Sequence, residues 1–388
     1  MTPDAFAPAS LGPVRLRNRI IKSATFEGVT PQCLVTDELI EFHRVVAAGG
    51  VGMTTVAYCA VSLDGTTDGH QIYMRPEAAP GLQRLVTAIH DEGAAISAQI
   101  GHAGPVANAR ETGLPAIAPM RSFNPVSRKV TRAATNEDIA RVITAHADAA
   151  ALAADGGFDA VEIHFGHNYF VSAFLSPRLN KREDQWGGSL ANRAKVARQV
   201  ADAVRTRVGS RIAVTAKFSM DDGVGGGLRP TEAVEVAAML EADGNLDALE
   251  LTAGSSLLNP MYLFRGDAPI KEFAATFPPV TRLGIRAFGK KFIRAYPYEE
   301  AFLLPTARQF RARLTMPLIL LGGITNSSTI ETAMGEGFDF VAMGRALLRE
   351  PDLVNRMAAD RSIRSKCDHN NRCMPTIYSG TRCILLDP

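Results

Sequence analysis

A chain of 388 residues with 46% hydrophobic and 21% charged residues has material for a sizeable core, which excludes an intrinsically disordered protein. Its 42 Lys and Arg against 40 Asp and Glu leave a net charge of +2, which argues against a dedicated binder of nucleic acid or anionic membrane. No apolar run nears the ~20 residues that span a bilayer, and MTPDAFAPASLG has neither the basic start nor the apolar stretch of a secretory signal.

Five cysteines suit a reducing compartment better than a disulfide framework. The expectation is a cytoplasmic globular enzyme whose partner is a small molecule, not nucleic acid or membrane.

Apolar runs suited to strands fall at Ile20–Ala24, Met53–Ala60, Ala95–Ile100, Ala160–His164, Ala213–Phe218, Ala248–Leu251, Leu318–Leu321 and Phe340–Met343. Between most of them lie stretches of helical periodicity: Asp37–Ala48, Pro80–Asp91, Asn136–Ala154, Leu190–Val208 and Thr231–Glu241. Near-continuous apolar strands alternating with amphipathic helices predict an α/β fold with a parallel sheet buried on both faces. A doubly wound open sheet produces the same local pattern. The count of eight strands favours a closed (β/α)8 TIM barrel, and no Gly-x-Gly-x-x-Gly follows the first strand to support a Rossmann turn. Two segments break the rhythm, Gly104–Arg132 and Asn259–Pro305. Both follow strands, so in a barrel they lie at the C-terminal face, where long loops carry function.

The densest chemistry lies in Val161 to Asn192, VEIHFGHNYFVSAFLSPRLNKREDQWGGSLAN. A strand with Glu162 and His164 on one face gives way to His-Phe-Gly-His-Asn-Tyr, which places His164, His167 and Tyr169 within six residues. Lys217 ends the fifth predicted strand, where an unpaired buried charge would be costly. It is read either as a functional cation or as the partner of a carboxylate such as Glu162. Glycines follow the last two strands, at Gly322-Gly323 and at Gly344 before Arg345, and barrels commonly bind phosphate at such turns.

Four elements resemble the Old Yellow Enzyme family of flavin-dependent ene-reductases. They are Asn18-Arg19-Ile20, Gln99-Ile-Gly-His102-Ala-Gly104, the stretch Val161 to Asn192, and Gly322-Gly323 with Met343-Gly344-Arg345. The signature Asn180-x-Arg182-x-Asp184-x-Trp186-Gly187-Gly188-Ser189-x-x-Asn192-Arg193 is the most specific of these matches. The resemblance covers nearly the whole chain in order, and implies one FMN-binding TIM-barrel domain over residues 1–388 with long βα loops and a C-terminal tail. FMN would be held non-covalently, reduced by NADH or NADPH, and reoxidised in ping-pong fashion by an α,β-unsaturated carbonyl compound. His164 and His167 would donate hydrogen bonds to the substrate carbonyl oxygen, and Tyr169 would donate the proton. Lys217 would stand beside flavin N1 and O2, and Gln99 would read the pyrimidine edge. Gly322, Gly323, Gly344 and Arg345 would hold the phosphate, with Ala24, Thr25 and Tyr58 completing the cofactor site. No metal is expected.

The match departs in two places. Phe26 stands where relatives place a flavin-tuning Cys or Thr. In the tail, Asn370 replaces one of the four cysteines that bind a 4Fe–4S cluster in larger relatives such as 2,4-dienoyl-CoA reductase, leaving Cys367, Cys373 and Cys383. The tail, residues 359–388, is a candidate for a subunit interface should the chain form a homo-oligomer, with Arg372 or Arg382 reaching a neighbouring site. Rival readings are an amine dehydrogenase or demethylase on the same scaffold, and a non-redox aldolase or epimerase using Lys217.

Overall fold

In a computed structural model, which describes residues 2–124, 129–277, 279–291 and 293–387, eight parallel strands close into a barrel. In chain order they are β1 (Ile20–Lys22), β2 (Met53–Ala60), β3 (Ala95–Gly101), β4 (Ala160–Phe165), β5 (Ala213–Ser219), β6 (Ala248–Thr252), β7 (Leu318–Leu321) and β8 (Phe340–Met343). Each pairs with its sequence neighbours, and β8 pairs with β1, closing the sheet. Parallel neighbours need a crossover, and helices supply it: α1 (Asp37–Ala48), α2 (Ala79–Asp91), α3 (Asn136–Asp155), α4 (Leu190–Val208), α5 (Pro230–Asp243), α6 (Leu304–Arg313), α7 (Ser327–Gly335) and α8 (Arg345–Arg349). Local signals start several of them. Thr36 caps α1 through the N–H of Leu39, Thr135 and Asp138 form a capping box on α3, and Pro230 opens α5.

The period of two along each strand divides the core. Ile20, Val56, Ile96 and Val161 face the helices in one continuous apolar layer. Ile21, Met53, Ala160, Ala213, Ala248, Ile319 and Phe340 point inward and fill the barrel floor. A short hairpin, Ala9–Leu11 against Val14–Leu16, plugs that floor with Leu11 and Leu16.

The two irregular segments contain structure that the loop reading missed. Within Gly104–Arg132, Ser122–Asn124 pairs with Lys129–Ala133, which also pairs with Ile117–Ala118; residues 125–128 lie outside the described residues. The segment Asn259–Pro305 holds helices Ile270–Ala275 and Pro279–Phe288, and its residues 278 and 292 lie outside the described ones. The tail folds back on its own chain: Thr381 donates to the carbonyls of Phe26 and Glu27. Arg372 pairs with Glu272, and Arg382 with Asp387. No helix among the described residues is long and apolar enough to cross a membrane.

Candidate active site

Above the apolar floor the inward positions turn polar. Gln99 stands opposite Glu162 across β3 and β4, while Lys217 stands opposite His164 on β4 and Glu250 on β6. The result is a buried rung. Gln99 Nε2 donates to Glu162 Oε1 at 2.7 Å, Lys217 Nζ lies 3.4 Å from that same oxygen, and Lys217 donates to Glu250. Ser23, just past β1, accepts from Lys217 at 3.1 Å and donates to Glu250 Oε1 at 2.8 Å. Lys217 therefore touches two carboxyl groups, and the closer one, its ion-pair partner, is Glu250, a residue not singled out in the sequence.

Two buried carboxylates share one ammonium, so full ionisation would leave an uncompensated charge. Burial, then the neighbouring Glu250, pushes Glu162 up to about 8. Burial, the largest influence, would raise Glu250 too, but the Lys217 charge together with hydrogen bonds from Lys217, Glu162 and Ser23 outweighs it and holds Glu250 below its usual range. Glu162 thus keeps its proton at neutral pH and the cluster is neutral.

A raised carboxyl pKa stabilises the fold fully below its unfolded value of ~4.3, and that contribution is lost as pH rises through the folded value. The melting temperature should accordingly fall as pH is raised from about 6 to about 9, and Glu162→Gln should flatten that slope. An equal slope in the variant would place the proton elsewhere.

At the strand ends three rings converge. His164 lies 4.4 Å from Tyr169 and 5.1 Å from His167, centroid to centroid. The N–H of Gly166 donates to His164 Nδ1 at 3.3 Å, which leaves Nε2 as the protonated nitrogen of a neutral ring. His167 and Asn168 are both left-handed, at φ 59° and 60°, a conformation non-glycine residues rarely adopt. The turn is held by the His167 N–H on Ser219 Oγ (3.0 Å) and by its carbonyl, which accepts from Ser256. His167 Nε2 sits 3.0 Å from Thr252 Oγ1, so its Nδ1 is the nitrogen left for a ligand. Burial pushes His164 well below 6.5 and His167 down to about 3, with the Lys217 charge acting in the same direction, so both are neutral at physiological pH.

Tyr58 forms a wall of this pocket. Its ring is edge-on to Tyr169 at 5.2 Å, its hydroxyl donates to Gly65 O at 2.8 Å, and burial pushes its phenol well above 10. The structure thus groups Tyr58 with the three rings. Gly101 is required here, because a Cβ would come within 2.8 Å of Tyr58 and 3.0 Å of the His164 Cβ.

The long signature acts as a brace beneath this turn. Asn180 donates to the carbonyls of Phe174 and Trp186, Trp186 Nε1 donates to Asn136, and Arg193 ties Leu175 O to Glu232. These bonds fix the C-terminal end of helix Phe170–Leu175, whose N-cap position is Tyr169.

On the far side, Gly322 and Gly323 turn at φ 104° and 74° after β7, and a Cβ at Gly323 would meet Glu299 O at 2.8 Å. No heavy atom lies within 4 Å of the Cβ position at Gly344, so the space over that turn is open. The Arg345 side chain points into the tail, donating to Asn371 Oδ1 and to Arg265 O. Ala24 packs near Ala57 and Tyr58; Thr25 Oγ1 accepts from buried Lys22 and donates to Ser23 O. Cys367, Cys373 and Cys383 are free thiols around one cavity of about 20 Å³ with Arg345 and His369. Among the described residues no three His, Cys, Asp or Glu are placed to hold a metal ion.

A donor edge from Gln99 to Lys217, with adjacent glycine turns after β7 and β8, fits a flat heterocycle bearing a phosphate. Residues 4–254 match the model of the NADH:flavin oxidoreductase / NADH oxidase family. The chain belongs to this family, that of Old Yellow Enzyme. It is an FMN-dependent oxidoreductase with a nicotinamide reductant. Along its whole length the flavoenzyme is 53% identical to 4,4'-dithiodibutanoate disulfide reductase of Rhodococcus erythropolis, covering 96% of that protein. It is 29% identical to the multifunctional alkene reductase/demethylase of Caballeronia cordobensis, with 94% of this chain aligned, and spans 52% of that longer protein. The old yellow enzyme homologue of Zymomonas mobilis shares the fold, with TM-score 0.74 at 22% identity over 94% of each chain.

Proposed function

We propose that this flavoenzyme transfers reducing equivalents from NADH or NADPH to a small electrophile held by His164 and His167, with Tyr169 as proton donor. When bound, FMN would supply the two-electron chemistry that couples nicotinamide oxidation to reduction of the acceptor. Gln99 and Lys217 would line its pyrimidine edge, and the turns at Gly322-Gly323 and Gly344-Arg345 would receive its phosphate through backbone N–H groups.

The observation that carries this reading is the meeting of two neutral imidazoles and one phenol at the barrel mouth, with ring centroids 4.4 and 5.1 Å from His164. Neutral imidazoles donate hydrogen bonds without surrendering a proton. Aimed at a carbonyl oxygen, they would stabilise the negative charge that grows there when hydride reaches the β-carbon. The α-carbon then takes the Tyr169 proton, which solvent restores. Overall, C=C, NAD(P)H and H⁺ become CH–CH and NAD(P)⁺.

The 53% identity with a disulfide reductase favours a second acceptor at the same site, an organic disulfide. There R–S–S–R, NAD(P)H and H⁺ give two thiols and NAD(P)⁺.

Tyr169→Phe tests the assignment. With cyclohexenone the oxidative half-reaction should slow about 100-fold or more, as for loss of a general acid, while nicotinamide still bleaches the flavin. With 4,4'-dithiodibutanoate the loss should be smaller, because a thiolate with pKa ~8.5 leaves with little help from a proton. Equal bleaching and equal reoxidation in variant and parent would remove Tyr169 from the mechanism.

A further inference from the structure

We infer that Arg265 is a binding site for a carboxylate on the substrate, so that the enzyme selects acidic acceptors; this rests on the reductase reading above. Arg265 lies in the long segment after β6, and its guanidinium is enclosed by three rings. Its Cζ is 5.0 Å from the centroid of Tyr262, 4.9 Å from Tyr296 and 5.6 Å from Phe302. Rings at these distances hold a planar cation and strip its water, but they accept none of its N–H groups in the plane. Nε is buried without a hydrogen-bond partner, and the side chain makes no ion pair or hydrogen bond to any described residue. Among the described residues, other arginines near the mouth are satisfied: Arg345 by Asn371 and the carbonyl of Arg265 itself, Arg178 by Gly225 O. A cation held flat, partly dehydrated and lacking an acceptor is suited to a planar oxyanion, which takes two parallel N–H bonds.

Its place in the fold says whose oxyanion. The segment leaves the His167 turn directly, since Ser256 donates to His167 O. Asn259 then anchors it by donating to Gly223 O and to Tyr296 Oη, and the Tyr262 ring rests on Gly223. Phe302, the third ring, touches Gly323. The cage around Arg265 is therefore built from a loop that touches the His167 turn and from a ring beside the first glycine turn. A carboxylate on a chain of a few carbons, extending from an electrophile at His164 and His167, would reach toward it. The phosphate of FMN is the other oxyanion with the same chemistry, and the experiment separates the two.

The dissociation constants of 4,4'-dithiodibutanoate and of its dimethyl ester are measured by calorimetry on oxidised, FMN-loaded enzyme, where no turnover occurs. The parent should prefer the acid, and Arg265→Gln should reduce the ester-to-acid ratio of dissociation constants about 10- to 100-fold, as for loss of a charge-assisted pair. Arg265→Lys, which keeps the charge but not the planar fork, should reduce it severalfold and stands in if the Gln variant does not fold. A parent without preference for the acid, or variants that keep the parent's ratio, would overturn the assignment. Release of FMN by Arg265→Gln with the ratio preserved would assign the oxyanion to the cofactor instead and also overturn it. An enzyme that prefers the acid yet reduces neither compound would sink the reductase reading and leave the Arg265 site standing.

Discussion

Replacing His164 and His167 together by Ala should lower kcat/KM for cyclohexenone about 1,000-fold or more, and should abolish the charge-transfer band that a bound phenol gives with oxidised flavin. Loss of a single preorganised donor to a developing oxyanion typically costs 100- to 1,000-fold, and these two serve one oxygen. Neither ring carries structural load comparable to the brace around Asn180 and Trp186, so the variant should retain FMN and its secondary structure. Among the described residues, His164 bonds its own turn through Nδ1, and the His167 ring bonds Thr252. Because both histidines titrate far below neutrality, phenol binding by the parent should show no histidine break between about pH 5 and 8. A charge-transfer band that survives the double substitution would mean that the acceptor binds elsewhere.

Lys217→Met should be the most destabilising single substitution at the mouth. It leaves ionised Glu250 buried beside Glu162 with only Ser23 and Gln99 to bond them. Removing one partner from a buried pair costs about 3–5 kcal/mol, which for a chain of this length lowers the melting temperature by about 4–6 °C. Adding Glu250→Gln to Lys217→Met removes the stranded charge and should recover much of the loss. A double variant no more stable than Lys217→Met alone would contradict the ion-pair account. Chemistry is read separately: an electrostatic role for Lys217 at the flavin's pyrimidine edge predicts a more negative flavin potential in Lys217→Met than in the parent.

Much of this site was legible in the sequence because barrel geometry turns position into function. A polar residue near the end of an apolar run lies toward the mouth, which drew attention to His164 and Lys217, whereas Gln99 was singled out only by the family resemblance. Glu250 escaped notice because one carboxylate inside Ala-Leu-Glu-Leu-Thr reads as an ordinary alternation, and only the closure of β5 on β6 sets it opposite Lys217. Ser23 was hidden similarly, since contact with Lys217 crosses the barrel rather than an adjacent strand. Tyr58 was expected in the cofactor site from the resemblance, but its strand is buried throughout, and sequence alone did not show that its ring would stand edge-on to Tyr169. Arg265 was illegible in principle: its three aromatic neighbours come from two bends of a 47-residue stretch, Asn259–Pro305, without strand or continuous helix period. The departure at Phe26 was legible as a substitution. Its backbone, clasped by Thr381 of the tail, shows that the loop after β1 and the tail form one packed unit.

The most direct test is an anaerobic titration in one cuvette. Purified FMN-loaded enzyme is titrated with NADH and, separately, with NADPH while the visible flavin absorbance is followed. Cyclohexenone and 4,4'-dithiodibutanoate are then added in turn to the reduced enzyme. The account predicts stoichiometric bleaching by at least one nicotinamide and full return of colour with one or both acceptors, lost in the His164→Ala/His167→Ala variant. Flavin that neither nicotinamide reduces but an amine does, or reoxidation that proceeds equally in the variant, would contradict it.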